Sequence, residues 1–246
     1  MNKITLATLL VLFSSNALAA DDASWNGFYG SVLAGRDFGD VNKKNGTFDY
    51  GTTIHNISGA NSSLDGWNAA LKIGFNKQIN DNLIGVELGA SILDGNADGV
   101  AISQYDGYLQ RPPNRLLSNV RVNSYESVSL RIGHIFNENT LAYLSGGIAL
   151  GQIKSQLKDE TGGIWIAQGT SLTDKKTESG YIVGFGLEHK LNEKLYLRAN
   201  YEYLDFGSVS FDYTGHSDDS PQLLLKANQK NSVQLSTLSV GLSCKF

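Results

Sequence analysis

Residues 67–92 read WNAALKIGFNKQINDNLIGVELGASI. Apolar side chains occupy alternate positions on both sides of the polar triplet Asn80-Asp81-Asn82. Alternation with a period of two is the pattern of a β-strand that has one apolar face. The polar triplet has the composition of a tight turn. This stretch therefore predicts two antiparallel strands joined as a hairpin.

The same alternation recurs along the rest of the chain. It is clear in 127–133, 144–151, 180–188, 195–203 and 239–246, and less regular in a first strand at about 27–36. The apolar face of that first strand is either Phe28/Val32/Ala34 or Tyr29/Leu33. Together with the hairpin, these segments make about eight strands, and bacterial outer-membrane barrels have an even number.

The connections between the predicted strands alternate between short and long. Short turns are expected near 80–82, 137–140 and 192–194, and long loops near 37–63, 94–122, 156–177 and 206–232. Outer-membrane barrels have short periplasmic turns and long extracellular loops. The sequence therefore predicts an all-β protein, an eight-stranded antiparallel transmembrane up-and-down β-barrel, with both termini periplasmic.

The second face of each predicted strand decides between a membrane barrel and a soluble one. It consists mostly of Gly, Ser, Asn and Ala with isolated charges, whereas a solvated outer face would be dense in Lys, Glu and Thr. Small side chains suit the crowded interior of a narrow barrel. Aromatic residues gather near the strand ends as interfacial girdles do: Trp67, Tyr181, Tyr201 and Tyr203 at the loop end, and Trp25, Phe75 and Phe246 at the turn end. The apolar face is therefore expected to contact lipid.

The first 19 residues have the features of a secretory signal peptide. Lys3 precedes the apolar run 4–13, and Ala17-Leu18-Ala19 fits a cleavage site. The run is too short to cross a bilayer as a helix. We expect residues 1–19 to be removed and residues 20–246 to form a single barrel domain.

Composition limits the partners and cofactors. The net charge is −4 with no run of like charges, so nucleic acid is not an expected partner. Cys244 is the single cysteine, which excludes an intramolecular disulfide. No Cys/His cluster has metal-ligand spacing, and no metal or cofactor is expected.

Four charged residues fall on the predicted inward face. Glu87 and Arg131 lie at similar distances from the short turns, as do Glu188 and Arg198. Opposite charges at facing positions attract, and a narrow interior screens them less than a surface does. The sequence therefore predicts two interior ion pairs, Glu87–Arg131 and Glu188–Arg198.

Several motifs also resemble a known family. They are WNGFYG at 25–30, LAYLSGGIA at 141–149, GFGLE at 184–188, LRANYEYLDFG at 197–207 and the terminal Phe246. The chain resembles the small outer-membrane β-barrel proteins of the OmpA-like group, above all the surface-antigen and haem-binding barrels of alphaproteobacteria. It departs from them at Cys244, where that family usually has an aromatic residue. The resemblance implies the outer membrane of a Gram-negative bacterium and a structural, surface-interaction role in envelope integrity, as a surface antigen or as an adhesin.

The expected partners are outer-membrane lipid and lipopolysaccharide, with a host or extracellular ligand bound through the loops. Arg111, Arg115 and Arg121 are candidates for lipopolysaccharide phosphates, because guanidinium pairs bidentately with phosphate; the alternative is a solvated loop face. The resemblance implies haem or another ligand, for which His55 and His216 are loop candidates. A lipopolysaccharide-modifying barrel enzyme is a further alternative, but no positioned triad is found, and an enzyme is not expected.

Overall fold

A computed structural model describes residues 25–49, 54–59, 61–103, 115–159, 171–216, 222 and 224–246. The expected signal peptide lies outside these described residues. The strands are β1 (Gly27–Lys43), β2 (Gly46–Asp49), β3 (Ile54–Ser58), β4 (Asn61–Ile79), β5 (Asn82–Leu93), β6 (Asn96–Ser103), β7 (Arg115–Phe136), β8 (Thr140–Asp159), β9 (Ser171–Lys190), β10 (Leu195–His216) and β11 (Leu224–Lys245). In this part of the chain, no helix is long and apolar enough to cross a membrane.

Eight of these strands close into an antiparallel ring. The order is β1-β11-β10-β9-β8-β7-β5-β4, and β1 closes the ring because it pairs with both β11 and β4. The three short connections and both described termini lie at one end of the ring, which we call the turn end; the opposite end is the loop end. The predicted all-β, eight-stranded antiparallel barrel is confirmed.

The ring continues toward the loop end beyond the predicted strands. There β6 pairs with β7, and the short strands β2 and β3 link β11 to β6. The predicted long loops at 37–63, 94–122, 156–177 and 206–232 are therefore wrong for most of their described residues, because strands occupy them. We call this part of the ring, built from the loop-end segments of the strands, the extension.

In the turn half of the ring, most apolar side chains of the strands point outward. Leu88 is 46% exposed and its neighbour Glu87 is 3% exposed, which confirms the predicted faces of β5. On β1, Phe28 and Val32 are exposed while Tyr29 and Leu33 are buried, so the structure decides the face that the sequence left open. The outward apolar band is about nine residues long on each strand, for example from Ile84 to Ile92, the length that a tilted strand needs to cross a bilayer.

In the extension this polarity is inverted. Its interior is an apolar core, and its outer wall is largely polar. Members of the core include Val41, Phe48, Ile57, Leu64, Val120, Ile153, Phe211, Tyr213 and Leu225. The expectation of a small and polar interior holds in the turn half and is wrong in the extension. Where water replaces lipid around the barrel, apolar burial stabilises the inside instead of the outside.

Two β-bulges change which alternate residues of β7 and β10 face inward. In β7, Val122 pairs with Ile153 and Ser124 with Gln152, so Asn123 is an extra residue. A similar shift lies between Asp205 and Ser208 in β10, where Gly207 has φ of 65°. Each extra residue moves the inward side chains from one parity to the other. As a result, apolar residues on one side of the bulge and polar residues on the other both face inward.

A small apolar cluster covers the turn end from inside. Its buried members are Trp25, Leu83, Ile135, Leu141, Tyr143 and Tyr196. The Trp25 ring centroid lies 4.8 Å from that of Tyr196, and its indole N–H donates to the Glu138 carbonyl at 3.3 Å. The expectation that Trp25 belongs to a lipid-facing girdle is wrong, because this ring packs into the barrel mouth. Phe75 and Phe246 do lie on the exposed outer face.

Candidate functional site: the interior charge network

A layer of six charged side chains fills the interior of the turn half. All are buried, with three acidic and three basic members; a seventh buried charged residue, Asp37, lies at the height of Glu202 and accepts hydrogen bonds from Asn68 and Thr237 instead of joining these ion pairs. They are Lys72, Glu87, Arg131, Glu188, Arg198 and Glu202. Each takes an inward position on its strand because the outward positions beside it are apolar.

The best-formed pair of the network spans the full width of the barrel. Arg198 Nη1 lies 2.6 Å from Glu87 Oε2, and Arg198 Nη2 lies 3.0 Å from Glu87 Oε1. Their strands, β10 and β5, are four places apart in the eight-membered ring. This bidentate, charge-assisted geometry is the strongest that a guanidinium and a carboxylate form.

Within the network, Arg131 makes the other short contact between an arginine and a carboxylate. Its Nη2 lies 2.5 Å from Glu188 Oε1, whereas its Nη1 lies 3.5 Å from Glu87 Oε2. Glu188 Oε1 in turn lies 3.7 Å from Arg198 Nε. The structure thus brings the four sequence-predicted residues into one network. Within it the shorter contacts join Glu87 to Arg198 and Glu188 to Arg131, rather than the partners expected from neighbouring strands.

Lys72 and Glu202 extend the network toward the loop end. Lys72 Nζ lies 3.3 Å from Glu87 Oε1 and also binds Glu202 directly. The Tyr125 hydroxyl donates to Glu202 Oε2 at 3.3 Å. Sequence reasoning missed Lys72 and Glu202 as members, although both occupy inward positions of strands that it identified.

Two tyrosines frame the arginines. The Tyr29 hydroxyl donates to Glu87 Oε2 at 2.6 Å and accepts a hydrogen bond from Arg131. The Arg131 guanidinium carbon lies 3.9 Å from the centroid of the Tyr143 ring, a cation–π contact. The Tyr143 hydroxyl accepts from Arg198 Nε at 2.9 Å and donates to Asn200 at 2.7 Å. These contacts hold both guanidinium groups in one orientation.

The side chains of this network fill the interior of the turn half. Removing one member of a buried ion pair leaves an uncompensated charge, at a cost of about 3–5 kcal/mol. Because the contacts cross the barrel in several directions, the side chains also tie distant strands together. The arrangement is therefore a polar plug between the turn-end apolar cluster and the apolar core of the extension.

A separate buried cation lies in the extension. Lys43 is 4% exposed, and its Nζ donates to the carbonyls of Ser118 and Ala97. Burial lowers the pKa of Lys43 to about 8, and the Asp98 carboxylate partly opposes that shift. Among the described residues, no salt bridge to Lys43 is present.

The described candidate ligand residues of the predicted loops fall on three different strands. Arg111 lies outside the described residues. Arg115 begins β7, Arg121 lies further along β7 with an exposed side chain, and His55 lies in β3. His216 ends β10 and is exposed. The expectation that Arg115, Arg121, His55 and His216 lie in loops is wrong, because the extension continues the strands through these positions.

Two other histidines lie on the outer face at the turn end. His134 Nδ1 lies 3.1 Å from Asn82 Oδ1, and His189 Nδ1 lies 3.0 Å from Thr140 Oγ1. Neither has a hydrogen bond to a carboxylate of a described residue. Within the described ranges, no group of three or more His, Cys, Asp or Glu side chains is arranged to hold a metal ion.

A closed antiparallel ring with an apolar outer band and a polar, filled interior defines an outer-membrane β-barrel. The chain belongs to the outer membrane protein beta-barrel domain family, whose model matches residues 5–246. The resemblance to small outer-membrane barrels is thereby confirmed, and the protein is localised to the outer membrane.

Curated relatives agree with this family. The chain is 25% identical to the 31 kDa outer-membrane immunogenic protein of Brucella melitensis over 264 residues, covering 100% of both chains. It is 26% identical to the 25 kDa outer-membrane immunogenic protein of Brucella abortus, over 74% of this chain and 67% of the relative. Outer membrane protein OprG from Pseudomonas aeruginosa aligns with a TM-score of 0.48 at 12% identity, over 91% of this chain and 98% of that one.

Proposed function

We propose that this protein is a closed structural barrel whose extension projects from the cell surface, with the turn end and both termini in the periplasm. The observation that carries the proposal is the inversion of polarity along the strands. The outer wall changes from apolar in the turn half to polar in the extension. The polar part is suited to water, not lipid. On β10 the extension runs from Leu204 to His216, about 40 Å along the strand.

The connections support this orientation. The described turns at the turn end contain two to four residues, as between β4 and β5 or between β9 and β10. Barrels of this class have their short turns in the periplasm and their long excursions outside the cell. A projecting extension with its own apolar core is a rigid platform for surface recognition.

The filled interior supports a structural role rather than transport. The turn-end cluster around Trp25, the charge network around Arg198 and the core around Phe211 succeed one another along the barrel axis. The Brucella relatives are named immunogenic outer-membrane proteins. We infer that this extension is likewise the part available to antibodies and to extracellular ligands.

Cysteine labelling on intact cells tests the orientation. Cys244 is exposed, so a Cys244→Ser background is needed. In that background, Lys226→Cys in the extension should react with a membrane-impermeant maleimide, and Asn192→Cys at the turn end should react only after the outer membrane is opened. Labelling of Asn192→Cys alone on intact cells would reverse the proposed topology.

Electrical recording in planar bilayers tests the closed interior. The wild-type barrel should give no steady conductance, and Arg198→Ala should give an increased leak because it removes a wide side chain from the plug. A stable open channel in the wild-type protein would contradict the structural role.

A further inference from the structure

A cluster of buried polar side chains lies within the apolar core of the extension. Its central member is Lys43 of β1, and the others come from β4, β7 and β11. They are Ser62, Ser118, Gln229 and Asn231, and none of the five is more than 5% exposed. We call these five residues the Lys43 cluster. Buried polar groups normally have hydrogen-bond partners, so the partners that these side chains have and lack indicate what the cluster can bind.

Strand pairing and close contacts bring the cluster together. Asn231 is directly opposite Lys43 in the register of β1 and β11, and the Cβ atoms of such pairs are about 5 Å apart. A Cβ added to Gly99 would lie 2.3 Å from Ser62 Oγ and 2.8 Å from Lys43 Nζ. These two polar atoms are therefore close neighbours, and the missing side chain of Gly99 leaves the space that the ammonium group occupies.

Ser118 connects Lys43 to Gln229. Its carbonyl oxygen accepts a hydrogen bond from Lys43 Nζ, and its hydroxyl donates to Gln229 Oε1 at 3.3 Å. Both contacts are made by one residue, so the ends of the Lys43 and Gln229 side chains meet near Ser118. The cluster thus joins side chains of β1, β4, β7 and β11 across the interior of the extension.

Several buried atoms of the cluster are unpaired. Within the described part of the chain, Ser62 Oγ, Gln229 Nε2 and both side-chain polar atoms of Asn231 have no hydrogen-bond partner. Three of these four atoms can donate a hydrogen bond, and only Asn231 Oδ1 is restricted to accepting. A buried polar group without a partner destabilises the fold. The cluster is therefore short of an acceptor rather than of a donor.

The charge of Lys43 is also uncompensated. Its hydrogen bonds go to the neutral carbonyls of Ser118 and Ala97, and in the described ranges no salt bridge to it is present. Asp98 attracts it only through space, because that exposed carboxylate accepts from Asn119. A buried ammonium without a partner is costly. A ligand that is both negative and an acceptor would satisfy the charge and the unpaired donors together.

Water fits the Lys43 cluster less well than an anion does. A buried water molecule has hydrogen bonds of its own to donate, whereas donors already outnumber acceptors among the unpaired atoms. Water also carries no charge to balance Lys43. A multivalent anion such as phosphate would bring more charge than one ammonium group balances. A small monovalent anion meets both requirements.

We propose that the Lys43 cluster binds one monovalent anion of halide size, held by the Lys43 ammonium group, the Ser62 hydroxyl and the Asn231 amide. The Gln229 amide supplies a further donor. The ion is a structural part of the extension, because its partners come from separate strands and it ties them together. The inference goes beyond the proposed surface role, and it does not depend on which side of the membrane the extension faces.

Urea unfolding in lipid vesicles at increasing chloride concentration tests the site. Gluconate replaces chloride at constant ionic strength, because gluconate is too large to enter the cluster. The urea midpoint of the wild type should rise with chloride and level off as the site saturates. Bromide should act in the same way. A wild-type midpoint that does not respond to either halide would overturn the proposal and assign the unpaired atoms to water.

Three variants locate the effect. Lys43→Met should lose the response to chloride. Asn231→Leu keeps the charge of Lys43, and its apparent affinity for chloride should fall by about tenfold or more. Lys44→Met removes the same charge from the exposed neighbouring position and should respond like the wild type. An equal response in Lys43→Met would show a general salt effect, and an unchanged affinity in Asn231→Leu would show attraction to the charge alone; either result would overturn the proposed site.

Chloride should also shift the titration of Lys43. Burial lowers the pKa of Lys43 to about 8 against the opposing effect of Asp98, and the facing side chains Ser62, Ser118 and Asn231 do not titrate. A bound anion favours the charged ammonium group and raises this pKa. The stability that Lys43 contributes at alkaline pH should therefore begin at higher pH in chloride than in gluconate. Identical pH profiles in the two salts would contradict an anion bound at Lys43.

Anomalous scattering from crystals grown in bromide gives a direct readout. One ordered bromide should lie between Lys43, Ser62 and Asn231, and it should be missing from Lys43→Met crystals grown in the same way. Bromide found at the surface alone would be an adventitious ion only and would overturn the proposal. A water molecule bonded to these side chains in place of bromide would overturn it as well.

Discussion

Glu87 and Arg198 stand on opposite strands of an eight-membered ring, yet their side chains form a bidentate ion pair at 2.6 and 3.0 Å. The pair crosses the lumen, whereas most ion pairs in sheets join neighbouring strands. It links β5 to β10 without any backbone contact between them. The interior of this barrel is therefore braced by side chains as well as by its wall.

A double-mutant cycle on Glu87→Gln and Arg198→Met should reveal strong coupling. Each single change should lower the free energy of unfolding by about 3–5 kcal/mol, because it strands a buried charge. The double mutant should recover about 1–3 kcal/mol of the summed loss. Urea unfolding in lipid vesicles provides the measurement.

The same cycle on Glu87→Gln and Arg131→Met is the comparison. Those side chains approach only to 3.5 Å, so their coupling should be smaller. A larger coupling for Glu87 with Arg131 would support the pairing expected from the sequence and contradict the cross-barrel arrangement.

Lys43 should make the extension more stable as pH rises through the alkaline range. Its pKa is about 8 in the folded protein, against 10.5 for an unperturbed lysine. Between these values the unfolded chain binds more protons than the folded chain, so the free energy of unfolding increases with pH. The gain should reach about 3 kcal/mol and be absent below pH 8.

Other groups titrate in this range, and the comparison with Lys43→Met isolates the contribution of Lys43. The difference in unfolding free energy between the two proteins should change from pH 8 to 10.5 in favour of the wild type. A difference that is constant over this interval would show that Lys43 keeps an ordinary pKa.

Deletion of Asn123 should prevent assembly of the barrel. Without the extra residue, the segments of β7 on the two sides of the bulge can no longer both face correctly, so either Val120 or Arg131 turns outward. The fraction that remains folded in unheated SDS should fall close to zero. Asn123→Ala keeps the residue count, and it should assemble like the wild type; equal behaviour of the two variants would argue against the bulge.

Gly186→Ala should disturb the charge network by displacing Tyr143, which contacts both arginines. A Cβ at this position would lie 2.3 Å from the Tyr143 hydroxyl and 2.8 Å from the Ala199 carbonyl oxygen. Displacing these groups should cost about 1–3 kcal/mol. At Gly146 the nearest atom to an added Cβ is 4.0 Å away, so Gly146→Ala should be neutral in vesicle unfolding. Equal effects at the two glycines would exclude the proposed steric cause.

An arginine on the lipid face should be far more harmful than one on the extension. Leu88→Arg should lower the free energy of unfolding by roughly 2–4 kcal/mol if Leu88 lies near the bilayer midplane. Asn228→Arg, at an exposed outward position of β11 in the extension, should change it little. Folding titrations in vesicles compare the two, and similar costs would mean that the apolar band is misplaced.

Much of the membrane-spanning part follows from the sequence by itself. The period of two around residues 67–92 determines which side chains share a face, and the small polar residues opposite the apolar ones indicate which face is inside. Glu87, Arg131, Glu188 and Arg198 are recognisable as inward residues for this reason. These are local properties, because the side-chain direction alternates along a strand whatever its neighbours are.

The extension could be read from the sequence only in part. Its strands also alternate, but with the opposite sense, and the extra residues at Asn123 and Gly207 interrupt the count. The sequence does not show where lipid gives way to water, so a strand with reversed alternation resembles a polar loop. The side chains Val209, Phe211 and Tyr213 become recognisable as a core only once the ring around them is closed.

The partners inside the barrel were decided by the tertiary structure alone. Counting positions from the short turns places Glu87 beside Arg131, because such a count compares only two neighbouring strands at a time. Closure of the ring through β1 brings β10 across from β5, and Arg198 is long enough to reach the Glu87 carboxylate. Sequence periodicity determines the direction of each side chain, but the distance between two inward side chains depends on the strand order and the diameter of the closed barrel.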